Sequence, residues 1–92
     1  MIFLGCNILD LKNKQVVSVE TGTVLGFISD IEIETETGSV ANVVIYGKPK
    51  YLGFAGKEDD IVIPWKNIQV IGEETILVSG PVQFKNSLRK NL

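Results

Sequence analysis

The chain has 92 residues, 45% of them hydrophobic and 22% charged, with a formal net charge of −2. That length suits one domain with one core, and the composition is that of an ordinary globular protein rather than a disordered or fibrous one. No apolar run approaches the roughly 18 residues that cross a bilayer, and the single cysteine, Cys6, excludes an intrachain disulfide.

With no disulfide the fold must rest on its packing, as in a reducing cytosol, so a cytoplasmic location is expected. Leu4-Gly5-Cys6 resembles the edge of a lipoprotein signal. No basic segment or apolar stretch of about 7–15 residues precedes it, so Cys6 is expected as a half-buried thiol. The charge is uneven: up to Val78 there are six lysines against eleven acids, whereas Ser79 to Leu92 adds three basic residues and no acid. We therefore divide the chain into a domain over residues 1–78 and a basic tail over 79–92. The acidic body argues against nucleic acid, whose binding depends on many neutralised phosphates.

In chain order, Leu4 to Leu11 is weakly helical, with Asn7 or Asp10 able to cap a turn, and predicts a short plug at one end of the core. Gln15 to Val19 is a first strand, stopped by Glu20-Thr21-Gly22. Val24 to Thr35 predicts one long strand, because Leu25, Phe27, Ile31 and Ile33 share one parity while Asp30, Glu32 and Glu34 share the other. Gly26 within it suits a bend or bulge. Glu36-Thr37-Gly38 supplies a hairpin turn closed by a left-handed glycine, returning the chain along Ser39 to Tyr46.

That partner strand is apolar on both faces apart from Asn42, so it needs two covers, the interior and either a loop or a second subunit. Gly47 to Gly56 is a long irregular loop with Tyr51 and Phe54, of the kind that packs back or carries function. Lys57-Glu58-Asp59-Asp60 is a solvated charge run leading to the strand Ile61 to Ile63, which Pro64 stops. Trp65-Lys66-Asn67 predicts one tight turn, followed by strands at Ile68 to Ile71 and Thr75 to Val78. In the tail, Phe84, Leu88 and Leu92 recur every four residues between Lys85, Arg89 and Lys90, a pattern open to a short amphipathic helix. A frayed end after Gly80-Pro81 is preferred, since so short a helix is marginal.

The chain has no histidine, which removes the commonest general base, zinc ligand and triad partner. Cys6 has no imidazole to activate it, and no catalytic residue, cofactor or metal site is assigned. Gly53-Phe54-Ala55-Gly56-Lys57 has two residues between its glycines and Glu58 after its lysine, so it is not a phosphate loop. Glu58-Asp59-Asp60 lacks the spaced oxygen ligands of a calcium loop. What remains is aromatic: Tyr46, Tyr51, Phe54 and Trp65 lie in or beside the long loop, and they either pack it down or bind a protein partner.

Taken together, these segments resemble the PRC-barrel family. The likeness runs from about Lys14 to Val78 and is carried by Gly22-Thr23-Val24-Leu25-Gly26-Phe27-Ile28-Ser29-Asp30-Ile31-Glu32-Ile33-Glu34, Thr37-Gly38-Ser39-Val40, Val43-Val44-Ile45, and Ile63-Pro64-Trp65 with Ile68 and Ile71-Gly72. The compact one-domain form, with Gly53 to Glu58 just before Ile61-Val62-Ile63-Pro64-Trp65, resembles the family's small sporulation proteins. The resemblance implies an all-β, six-stranded antiparallel barrel used for protein–protein or assembly contacts, with no enzymatic residues to carry over. It also implies a cytoplasmic bacterial protein linked to sporulation. The expected partners are an unidentified protein and a second copy of the chain, seated on the surplus face of Val40 to Tyr46. The alternative is an RNA- or ribosome-associated module, as in the family's ribosome-maturation members, whose second domain this chain lacks.

Overall fold

A computed structural model of the chain describes residues 5–48 and 58–85. Asn7 caps a single helical turn, α1 (Ile8–Lys12), by accepting a 2.8 Å hydrogen bond from the Asp10 amide on its side-chain oxygen. The cap satisfies an amide that so short a helix leaves without an internal partner. Leu11 alone in this turn is buried, where it plugs the core, while Ile8 and Leu9 stay exposed. The half-buried Cys6 packs beside it as a free thiol.

Eight strands follow among the described residues: β1 (Gln15–Ser18), β2 (Val24–Phe27), β3 (Asp30–Glu34), β4 (Ser39–Ile45), β5 (Asp60–Pro64), β6 (Ile68–Ile71), β7 (Thr75–Val78) and β8 (Gln83–Lys85). They form two four-stranded sheets, ordered β2-β1-β7-β6 and β3-β4-β5-β8. The inner faces share one core of Leu11, Val16, Ile28, Val43, Ile45, Ile63, Ile76 and Val78. Each such aliphatic side chain contributes about 1.5–3 kcal/mol by leaving water. The mostly aliphatic composition thus becomes a packed interior that needs no crosslink.

The expected hairpin is present. Gly38 takes φ +76° and donates its amide to the Glu34 carbonyl at 2.7 Å, turning β3 onto β4. Pro64 is the last residue of β5, opposite Asn42, and Trp65–Asn67 forms one turn of 3-10 helix. Gly26, at φ +132°, pairs with Val16 beside a bulge in the β1–β2 ladder, and a Cβ there would stand 3.1 Å from Ile45. Only glycine fits that bend without strain.

Four expectations are corrected. The long strand Val24 to Thr35 breaks at Ile28-Ser29, where the chain leaves the first sheet for the second. Leu25 and Ile31 pack against the core, but Phe27, of the same parity, is exposed and Ile28 is buried, so the alternation slips around Gly26 and again at the corner. A strand that switches sheets at a corner must bend, and here the bend slips the alternation by one residue. Second, β1 and β7 pair parallel, Gln15 opposite Thr75 through Ser18 opposite Val78. Strand direction leaves no mark on a four-residue pattern, because alternation reads the same both ways. Third, the segment after Gly80-Pro81 is neither frayed at once nor helical: Gln83–Lys85 pairs with β5 as an extra strand. Leu88, Arg89 and Leu92 lie outside the described residues, as do Tyr51 and Phe54.

Fourth, Val44 is only 7% exposed although it faces away from Val43 and Ile45, and Val62, opposite it, is buried too. The middle of the surplus face is thus covered within the chain, while Val40 stays half-buried and Tyr46 exposed at its ends.

Candidate interaction surface

Of the four aromatic candidates, the structure describes Tyr46 and Trp65 and sets them apart. Tyr46 follows the rung Ile45–Ile61, while Trp65 follows the rung Asn42–Pro64 at the opposite end of the β4–β5 ladder. Three rungs at roughly 3.3 Å each separate those ends by about 10 Å, so the two rings do not form one patch. Trp65 is half-buried and packs against the core cluster. It closes the end of the core that Pro64 opens by leaving the ladder.

Tyr46 is anchored on the other side. Its amide donates to the Ser29 hydroxyl at 2.9 Å and its own hydroxyl donates to the Asp30 carboxylate at 3.1 Å. The ring lines a groove of about 590 Å³ with Phe27, Lys48, Glu58 and Asp59. This groove lies beside the neck of the long loop.

The neck is clamped by residues whose role the composition concealed. The Glu58 amide donates to the Lys48 carbonyl at 2.9 Å, and the Gly47 amide donates to the Asp60 carboxylate at 2.7 Å. Asp60, expected in a solvated run, is 7% exposed. A buried carboxylate needs such donors, and Gly47 alone lets the two chain segments meet, since a Cβ there would fall 1.8 Å from the Glu58 carbonyl oxygen. Among the described residues, no group of three or more His, Cys, Asp or Glu side chains is placed to hold a metal ion. No described helix is long and apolar enough to cross a membrane.

The most distinctive surface lies on neither aromatic. The registers align Val24 with Val17, Val17 with Leu77, and Leu77 with Val70, one residue from each strand of the first sheet. Opposed residues share a face, and since Val16 and Ile76 point into the core, this row points outward. Val24 is 52% and Val70 50% exposed, and the central Val17 and Leu77 are half-buried. None of β1, β2, β6 and β7 contains a charged residue, whereas β3 alone carries three acids.

This architecture has known relatives. The model of the PRC-barrel domain matches residues 7–83. The chain belongs to the PRC-barrel family. Within that family it is 47% identical over 72 residues to the probable sporulation protein YlmC of Bacillus subtilis, covering 78% of this chain and 89% of that one. An uncharacterised Clostridium acetobutylicum protein is 41% identical over 76 residues, covering 83% and 86%. The uncharacterised YmxH of Bacillus subtilis is 30% identical over 77 residues, covering 82% and 89%. The PRC-barrel match ends at Gln83, inside β8, so family likeness extends past Val78, where the acidic body of the sequence ends. The all-β PRC fold expected from the motifs is thereby shown.

Proposed function

We propose that this PRC-barrel chain is a non-catalytic module that acts by protein–protein contact in the cytoplasm, in the sporulation-linked setting that one relative's name indicates. The observation that carries this is the uncharged outer face of the first sheet, with its row Val24, Val17, Leu77 and Val70. Contiguous exposed apolar surface on a small domain marks an interaction site, and covering this one removes no charge from water. The lack of histidine in the chain also weighs against acid–base or metal chemistry.

Capture of tagged chain from a sporulating host tests the proposal. The native chain is expected to hold a reproducible set of proteins that Val70→Glu loses. Equal capture by both, or none by either, rejects the first sheet as the binding face.

A further inference from the structure

We infer that the first sheet's outer face is a self-association surface, on which two copies of this chain pack sheet against sheet. The inference rests on the proposed interaction role and names its partner. Two observations favour a second copy over a different protein.

The row is near-symmetric about the boundary between β1 and β7, with half-buried Val17 and Leu77 in the middle and half-exposed Val24 and Val70 at the ends. A two-fold axis along that boundary sets Val17 of one copy over Leu77 of the other, and Val24 over Val70. Both halves of a two-fold interface must be the same surface, so a row that matches its own reverse meets the requirement. Sheets facing in this way interdigitate side chains about 10 Å apart.

Charge points the same way. The body up to Val78 carries eleven acids against six lysines, so two copies repel through most of their surface. The strand acids lie in the second sheet, at Asp30, Glu32, Glu34 and Asp60, and the first sheet has none. An acidic chain can approach its twin at low electrostatic cost through this face, whereas a basic partner gains nothing from it and is drawn to the second sheet.

Area then sets the strength. Four strands about 4.8 Å apart, each four residues long at about 3.3 Å per residue, give a footprint of roughly 20 Å by 13 Å. Exposed Phe27 and Val19 extend it at the margins. The total stays below the roughly 800 Å² per partner of a standard interface, which makes the dimer a weak, concentration-dependent one. Its dissociation constant is expected in the micromolar range.

Sedimentation of the full chain from about 5 to 500 μM brackets that range. Dimer is expected to accumulate with concentration. Val24→Glu and Val70→Glu, at half-exposed positions, should each weaken it at least tenfold, while Glu34→Gln on the second sheet leaves it unchanged. If a glutamate variant unfolds, Val70→Thr serves in its place. In the native chain, methyl resonances of Val17, Val24, Val70 and Leu77 should shift with concentration while those of Val44 and Val62 stay fixed. A monomer throughout, or a dimer indifferent to both glutamates with methyl shifts elsewhere, overturns the inference. If the chain stays monomeric while Val70→Glu still loses captured proteins, self-association falls and the interaction role stands.

Discussion

Gly47 and Asp60 illustrate how single residues fix the base of a loop that composition leaves shapeless. Gly47 does not need an unusual φ. It needs the absence of a Cβ, because the Glu58 carbonyl oxygen and the Asp59 carbonyl oxygen would stand 1.8 and 2.8 Å from one. Backbone on both sides has little room to give, so Gly47→Ala should destabilise by about 3 kcal/mol or more, read as a lower denaturant midpoint at unchanged slope. Asp60→Ala removes the acceptor of the Gly47 amide and leaves that donor half-buried. It should lose about 1–3 kcal/mol in the same melt. A loss under 0.5 kcal/mol, the scale of ordinary surface changes, would show that the clamp contributes nothing to stability. Neither residue was legible beforehand. Gly47 read as one of three loop glycines and Asp60 as one of three consecutive acids, and only the meeting of two segments 13 residues apart distinguishes them.

At the scale of elements, strands whose two faces stay in one sheet were legible, and strands that change sheets were not. β1, β4, β6 and β7 lie where alternation and turn residues place them, and the helical turn caps on Asn7 as its type predicts. Val24 to Thr35 kept a consistent period of two in the sequence, yet the bulge at Gly26 and the corner at Ile28-Ser29 each slip it, so that Leu25 and Ile31 pack on the core and Phe27 between them does not. Phe27, counted with Ile31 on one face, is 49% exposed as a result. β8 was hidden for another reason: three residues are too few for a period, and its pairing comes from β5. Trp65 lay open between closing the core and offering a binding edge. Packed on the cluster beside the end of β5, it acts as a closure, and Trp65→Ala should destabilise by about 2–4 kcal/mol, toward the lower part of the range for a large aromatic because the ring is half-buried. A change below about 1 kcal/mol would return Trp65 to the surface. Tyr46 was left open in the same way, and its hydroxyl is committed to Asp30, a contact that no spacing announces.

Across the whole molecule, the distribution of charge separates the two sheets more sharply than hydrophobicity does. Both supply the core, but only the second wears carboxylates on its strands, and an acidic strand such as β3 repels a phosphate backbone. Nucleic acid is therefore expected not to bind even at low salt, and a titration that finds affinity falling steeply with added salt would instead favour the ribosome-associated alternative. Salt also discriminates between the two outer faces as sites of assembly. A contact made through Asp30, Glu32 and Glu34 with a basic patch is screened as the Debye length shrinks from about 10 Å at 0.1 M to about 3 Å at 1 M, and it should weaken steeply over that interval. The charge-free row Val24, Val17, Leu77 and Val70 has no attraction to screen. What salt screens there is the repulsion between two acidic bodies. Self-association measured by sedimentation at both salt concentrations should thus stay constant or tighten up to several-fold as salt rises. A loosening of tenfold or more would move the contact off the first sheet and onto the acidic one.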